Sequence, residues 1–231
     1  MESFNTYLLV FHIAFGSLAL LVGPVNMMVR KGSGVHRQLG HFFFYSMMVV
    51  SVSAIVMSAT KGNYFLFIIG VFTAYLAGTG YRAIGWKRLL KRGRKPKNLD
   101  WYISIAMLTF GAVLAIIGIV VLSKGETFGW VSIFFGILAV LLTVGDIRIL
   151  LGINRQNGFW MRQHVSKMVG ANIATYTAFI VVNSIIPNQI LSWILPTFLG
   201  IPVIIFFQRK LTADMKKEQP VLVDRSTNAF I

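Results

Sequence analysis

The sequence predicts an all-α integral membrane protein: a bundle of seven transmembrane helices, amino terminus outside and carboxyl terminus in the cytoplasm. Three observations carry this. Hydrophobic residues make up 56% of the 231 positions and charged residues only 13%, with a mean hydropathy of +0.71, far above an ordinary soluble domain. The apolar residues gather into seven runs, most of them near the roughly 20 residues that a bilayer crossing needs. Of the 22 Lys and Arg residues, all but Lys61 and Lys124 fall on one side of the bundle these runs imply. Such a bias orients membrane proteins with the basic loops inside.

The runs lie at about 7–29, 40–59, 64–85, 101–123, 128–150, 165–186 and 188–208. The first is expected to be a span rather than a secretory leader, because Glu2 precedes it without any basic residue and its apolar stretch exceeds a leader's. Lys61-Gly62-Asn63, Lys124-Gly125-Glu126 and Ile186-Pro187-Asn188 have the chemistry of short outer turns. The basic loops hold Arg30, Lys31 and Arg37, then Lys87 through Lys97, then Arg155 and Arg162. Pro24, Pro196 and Pro202 fall inside the first and last runs, where membrane helices tolerate kinks. The division is a seven-helix domain over 1–210 and a polar, loosely ordered cytoplasmic tail over 211–231.

Composition also excludes chemistries. With no cysteine, disulfides, thiolate metal sites, cysteine nucleophiles and iron–sulfur clusters are ruled out. The net charge of +15 would suggest nucleic acid in a soluble chain, but here it sits in short loops between spans, so no nucleic acid is expected. Anionic lipid headgroups are the partners these loops imply, beyond the bilayer itself. The seventh run has no lysine for a retinal Schiff base. Neither a phosphate-binding glycine loop nor a GxSxG elbow is present.

The chain is organised around Trp160 to Asn183. Read as a helix, it places His164, Met168, Ala171, Thr175 and Ala178 on one small, polar face, suited to close helix packing in lipid. Ionisable groups near lipid are expensive, so their positions carry information. His36 falls just before the second run, His41 in its first turn and His164 at the start of the sixth. Asp146 and Arg148 lie near the inner end of the fifth, and Arg82 near that of the third. All share one layer at the cytoplasmic end. His12 stands apart, roughly 20 Å away at 1.5 Å per residue, and reads as a lone histidine bonded to a hydroxyl or backbone group. Asp146 and Arg148 cannot face each other on one helix, so Asp146 is expected to pair with Arg82, Arg37 or Lys167.

Three readings of this layer are open. His41 and His164, at similar depth on parallel helices, have the character of axial ligands for haem b or a related redox cofactor, with Arg37 and Arg162 on the propionates. Alternatively, His36, His41, Asp146 and His164 supply a zinc ligand set for a membrane hydrolase, though without an HxxxH or HExxH pair. In the third, the same residues bind a small anionic substrate in a transporter, or tie helix ends together in an accessory protein without a cofactor.

His12 with Gly23-Pro24, the element His36-Arg37-Gln38-Leu39-Gly40, and the run W-x3-H-x3-M-x-G-A from Trp160 resemble together a bacterial family of predicted multi-spanning membrane proteins of unknown function. The resemblance covers nearly the whole chain and implies a multi-pass protein of the bacterial cytoplasmic membrane. It emphasises His12, His36, Arg37 and His164 without implying an activity. The HisArg order expected late in that family is replaced here by Arg162 preceding His164.

Overall fold

The computed structural model describes residues 2–92 and 94–227. Among them the chain forms seven α-helices: α1 (Glu2–Met28), α2 (Gly34–Lys61), α3 (Tyr64–Ala83), α4 (Asn98–Ser123), α5 (Gly129–Leu150), α6 (Phe159–Val182) and α7 (Gln189–Thr227). A 3-10 helix, Ile84–Leu90, extends α3. Each of the seven is long and apolar enough to cross a membrane. The outer surface agrees: Leu21, Ile116, Leu141 and Phe198 are all more than half exposed, which a soluble protein avoids over so wide a belt.

Chain neighbours pack as hairpins, α1 on α2, α2 on α3, α4 on α5 and α6 on α7, and α3 closes against α6. The span containing α3 is the most enclosed and α1 the least. The core is mostly aliphatic, with a line of aromatic rings crossing it from α3 through α5 to α7. Phe72 of α3 meets Phe135 of α5 edge-on at 5.3 Å, and Phe135 meets Trp193 of α7 at 5.6 Å. The α4–α5 contact is built differently. Gly111 and Gly118 of α4 face Gly129 and Gly136 of α5, all buried, so the two backbones touch directly. Small residues at such spacing are how lipid-embedded helices gain dispersion contact without a hydrophobic driving force.

Helix ends depart from the expected bounds for local reasons. The α2 helix starts at Gly34, because the Ser33 hydroxyl accepts the His36 amide at 3.1 Å. His36 therefore lies in its first turn and His41 further in. The α6 helix starts at Phe159, after Gly158 turns the chain at φ 74°, which moves His164 into the second turn. The basic stretch after α3 is not all loop: Trp86 and Leu89 of the 3-10 helix are buried with Ile149, Leu150 and Phe159. The segment from 211, expected to be loosely ordered, continues α7 as helix to Thr227, and residues 228–231 lie outside the described ones.

Candidate functional site

The most consequential polar group lies in the bundle's interior, where α3, α5 and α6 meet. Lys167 of α6 forms an ion pair with Asp146 of α5, and their side chains are 2% and 0% exposed. Tyr75 of α3 donates to Asp146 Oδ2 at 2.7 Å, and Lys167 Nζ donates to the Tyr75 oxygen at 2.8 Å. The ammonium also lies 4.2 Å from the centre of the Tyr75 ring, a cation–π contact. The Thr143 hydroxyl, one turn before Asp146, stands 3.4 Å from the Tyr75 oxygen and is held by Ala139 O at 2.8 Å. One carboxylate oxygen, Asp146 Oδ1, is buried without a hydrogen-bond partner. Burying two charges costs several kcal/mol per ion before their attraction returns any of it.

Of the three partners the sequence offers Asp146, the structure selects Lys167. Arg82 is engaged elsewhere: its Nε and Nη2 reach Asp100 Oδ1 at 2.8 and 2.7 Å. Asp100 Oδ2 also accepts the Lys97 amide at 3.1 Å and lies 3.7 Å from Arg88 Nη2. This knot ties the end of α3 to the start of α4. Replacing Arg82 by Ala should cost about 2 kcal/mol, since it leaves a buried carboxylate short of its best donor; thermal denaturation in detergent reads this. Arg37 and Arg148 are exposed.

The histidines have different hydrogen-bond partners, although His36 and His164 lie close enough to act on each other electrostatically. His164 Nδ1–H donates to Gly80 O at 2.9 Å. His41 is exposed, with its ring 5.8 Å from that of Tyr81, which stacks on Phe44 at 4.3 Å. His41 and His164 thus approach consecutive residues of α3. His36 Nδ1–H donates to Asn26 O at 3.4 Å, joining α2 to the end of α1. His12 pairs with Ser53 Oγ of α2 at 2.8 Å, far from the others in sequence and in depth. Near the same basic end, Asn26 Oδ1 and Arg162 Nε are buried without partners, and so is Asn172 Nδ2 further along α6. Gly23 lets α1 lie directly against the Asn172 amide, where any side chain would collide. Among the described residues, no three His, Asp or Glu side chains converge as a metal site would require. The set His36, His41, Asp146 and His164 is therefore not gathered into one cluster.

The chain matches no family model, no curated protein and no solved structure.

The site's chemistry therefore has to be read from its own residues. Tyr75 escapes sequence reasoning because a tyrosine in an apolar span is as readily a lipid-facing residue as a buried one. Its hydroxyl is useful only where Asp146 and Lys167 sit opposite, and facing between helices is not written in one helix's periodicity. Arg155 escapes for another reason. It reads as loop charge, yet its guanidinium donates to Ile149 O at 2.9 Å and Leu150 O at 3.0 Å, capping α5.

Proposed function

We propose that the protein is a carrier of the bacterial cytoplasmic membrane, amino terminus outside, that moves a small anionic molecule together with a proton. The observation that supports it most is the Lys167–Asp146–Tyr75 network, an ionisable pair buried in the lipid-spanning bundle with one carboxylate oxygen unpartnered. Charges at membrane depth are costly and are a sign of substrate or proton pathways. The orientation rests on the one-sided distribution of Lys and Arg.

The charge accounting gives the coupling. An anion entering from the basic end, past Arg162 and His164, competes with Asp146 for Lys167. His164 is one helical turn from Lys167 on the same side of α6. Once displaced, the Asp146 carboxylate has lost its counter-ion in an apolar interior and is stable only with a proton added. Anion and proton then travel together without net charge, and Tyr75 bridges both partners through the exchange. The test is uptake into proteoliposomes of labelled small carboxylates and phosphate. An inward proton gradient should accelerate uptake of at least one of them, and Asp146→Asn should abolish the acceleration. Rates equal to those of empty liposomes for the whole panel would overturn the reading.

A second reading has one observation in its favour. His164 Nδ1–H is anchored on a backbone carbonyl, the kind of outer bond that orients ligating histidines and leaves Nε2 as the ligand atom. On that reading His41 and His164 would hold haem b, and Arg37 and Arg162 would neutralise its propionates. A reduced-minus-oxidised absorption spectrum of the purified protein decides it. A Soret band lost in His164→Ala supports haem, and a featureless spectrum removes it.

A further inference from the structure

A groove runs along the bundle between α1 and α7 with α6 as its floor, enclosing about 370 Å³. Its walls include Pro24 and Met27 of α1, Asn172 and Tyr176 of α6, and Leu199 and Val203 of α7. The lining is almost wholly apolar: the Tyr176 hydroxyl donates to Leu20 O at 3.2 Å, and the Asn172 amide lies against Gly23. At the basic end the groove meets a cation. Lys31 Nζ donates to Met27 O at 2.6 Å and to Asn26 O at 3.1 Å. It also stands 5.0 Å from the centre of the Phe207 ring, one turn of α7 beyond Val203. A lysine ammonium has three donors, so one remains. Lys31 is an exposed residue whose ammonium is only partly covered; that partial covering first, and then the like charge of nearby Lys210, hold it below the usual lysine range. Among the described residues neither lysine has a carboxylate partner within ion-pair distance.

We propose that an anionic phospholipid binds between α1 and α7, its acyl chain in the groove and its phosphate between Lys31 and Lys210. Two independent features select this occupant. The paired cations at the mouth repel each other and are relieved by an anion, and lysine is a standard phosphate ligand. The space behind them is apolar, so a soluble anion would leave the groove's length unused, whereas an acyl chain fills it. From Leu195 to Val203, both in the lining, the wall runs about 12 Å at 1.5 Å per residue, long enough to seat much of a chain. The phosphate accepts the third Lys31 proton while the two carbonyl bonds hold the ammonium in place. A lipid so placed would join α1, the least enclosed span, to α7. The site shares no residue with the Asp146 network, although Lys31 lies close enough to His164 to act on it electrostatically.

The experiment is thermal denaturation of the full chain in detergent with added phosphatidylglycerol, phosphatidylcholine or glycerol phosphate, alongside native mass spectrometry of retained lipid. Phosphatidylglycerol should raise the melting temperature by about 5 °C at saturation and stay bound in the gas phase; the other two should do neither. Lys31→Gln with Lys210→Gln should remove the preference. Lys91→Gln with Arg92→Gln, which removes the same charge elsewhere on the basic face, should keep it. Val203→Trp, at a partly lipid-facing position, should reduce retention by filling the groove. Equal shifts with both phospholipids, a glycerol phosphate shift as large, or a preference that survives the Lys31/Lys210 change would overturn the proposal. Undiminished retention in Val203→Trp would likewise overturn the placement of the chain.

Discussion

Lys167→Met is expected to destabilise the protein by about 3–5 kcal/mol, the cost of leaving one member of a buried ion pair without its partner. The remaining charge, Asp146, is fully buried and already has one oxygen without a hydrogen bond, so Tyr75 would be its only strong donor. Asp146→Leu should cost a similar amount, because Lys167 would keep only the Tyr75 oxygen and ring. The double variant Lys167→Met/Asp146→Leu should regain most of the loss, since apolar side chains of similar volume often replace a buried pair at little cost. Melting the four proteins in detergent gives the coupling directly. Strict additivity would show that the pair does not interact as the distances imply.

The second large effect is expected at Gly136. A Cβ there would sit 2.6 Å from Ala115 N and 2.8 Å from Gly111 O. Both are backbone atoms of α4, which cannot rotate aside as a flexible side chain can. Gly136→Leu should therefore separate α4 from α5 and cost about 3 kcal/mol, the upper end of what overpacking costs. Gly145, on the same helix, has nothing within 4 Å of its Cβ position. Gly145→Ala should leave stability unchanged or raise it by up to about 1 kcal/mol, the helix preference of alanine over glycine. A Gly136 variant that melts with the wild type would mean that α4 and α5 approach less closely than described.

These two cases show where sequence reasoning reaches and where it stops. The seven apolar runs are legible because hydropathy is summed over some twenty residues and survives errors at either end. Their ends are less legible. Ser33 and Gly158 start α2 and α6 earlier than the apolar runs do, because a cap acts through one backbone contact and leaves hydropathy unchanged. The 3-10 helix after α3 is hidden by Lys87 and Arg88, whose charge reads as loop while Trp86 and Leu89 pack inward. Helical structure through the polar stretch beyond 211 is likewise invisible to hydropathy. Of the interior network, the need of Asp146 for a basic partner is legible, since a charge near lipid requires one. The selection of Lys167 over Arg82 and Arg37 is not, because it depends on which faces meet. Asp100 removes Arg82 from the choice across the α3–α4 connection. The α4–α5 glycines show the same limit: Gly111, Gly118, Gly129 and Gly136 are scattered through two apolar runs, and their purpose emerges only when those runs are laid side by side.

Proposed as the transport machinery, the buried pair must do more than hold helices together. The most direct measurement is proton-coupled anion uptake by the Lys167→Met/Asp146→Leu variant in proteoliposomes, with its melting temperature taken from the same preparation. The expected result is a folded protein near wild-type stability whose uptake no longer responds to a proton gradient. Gradient-driven uptake at the wild-type rate in that variant would contradict it and leave the pair with a structural role alone.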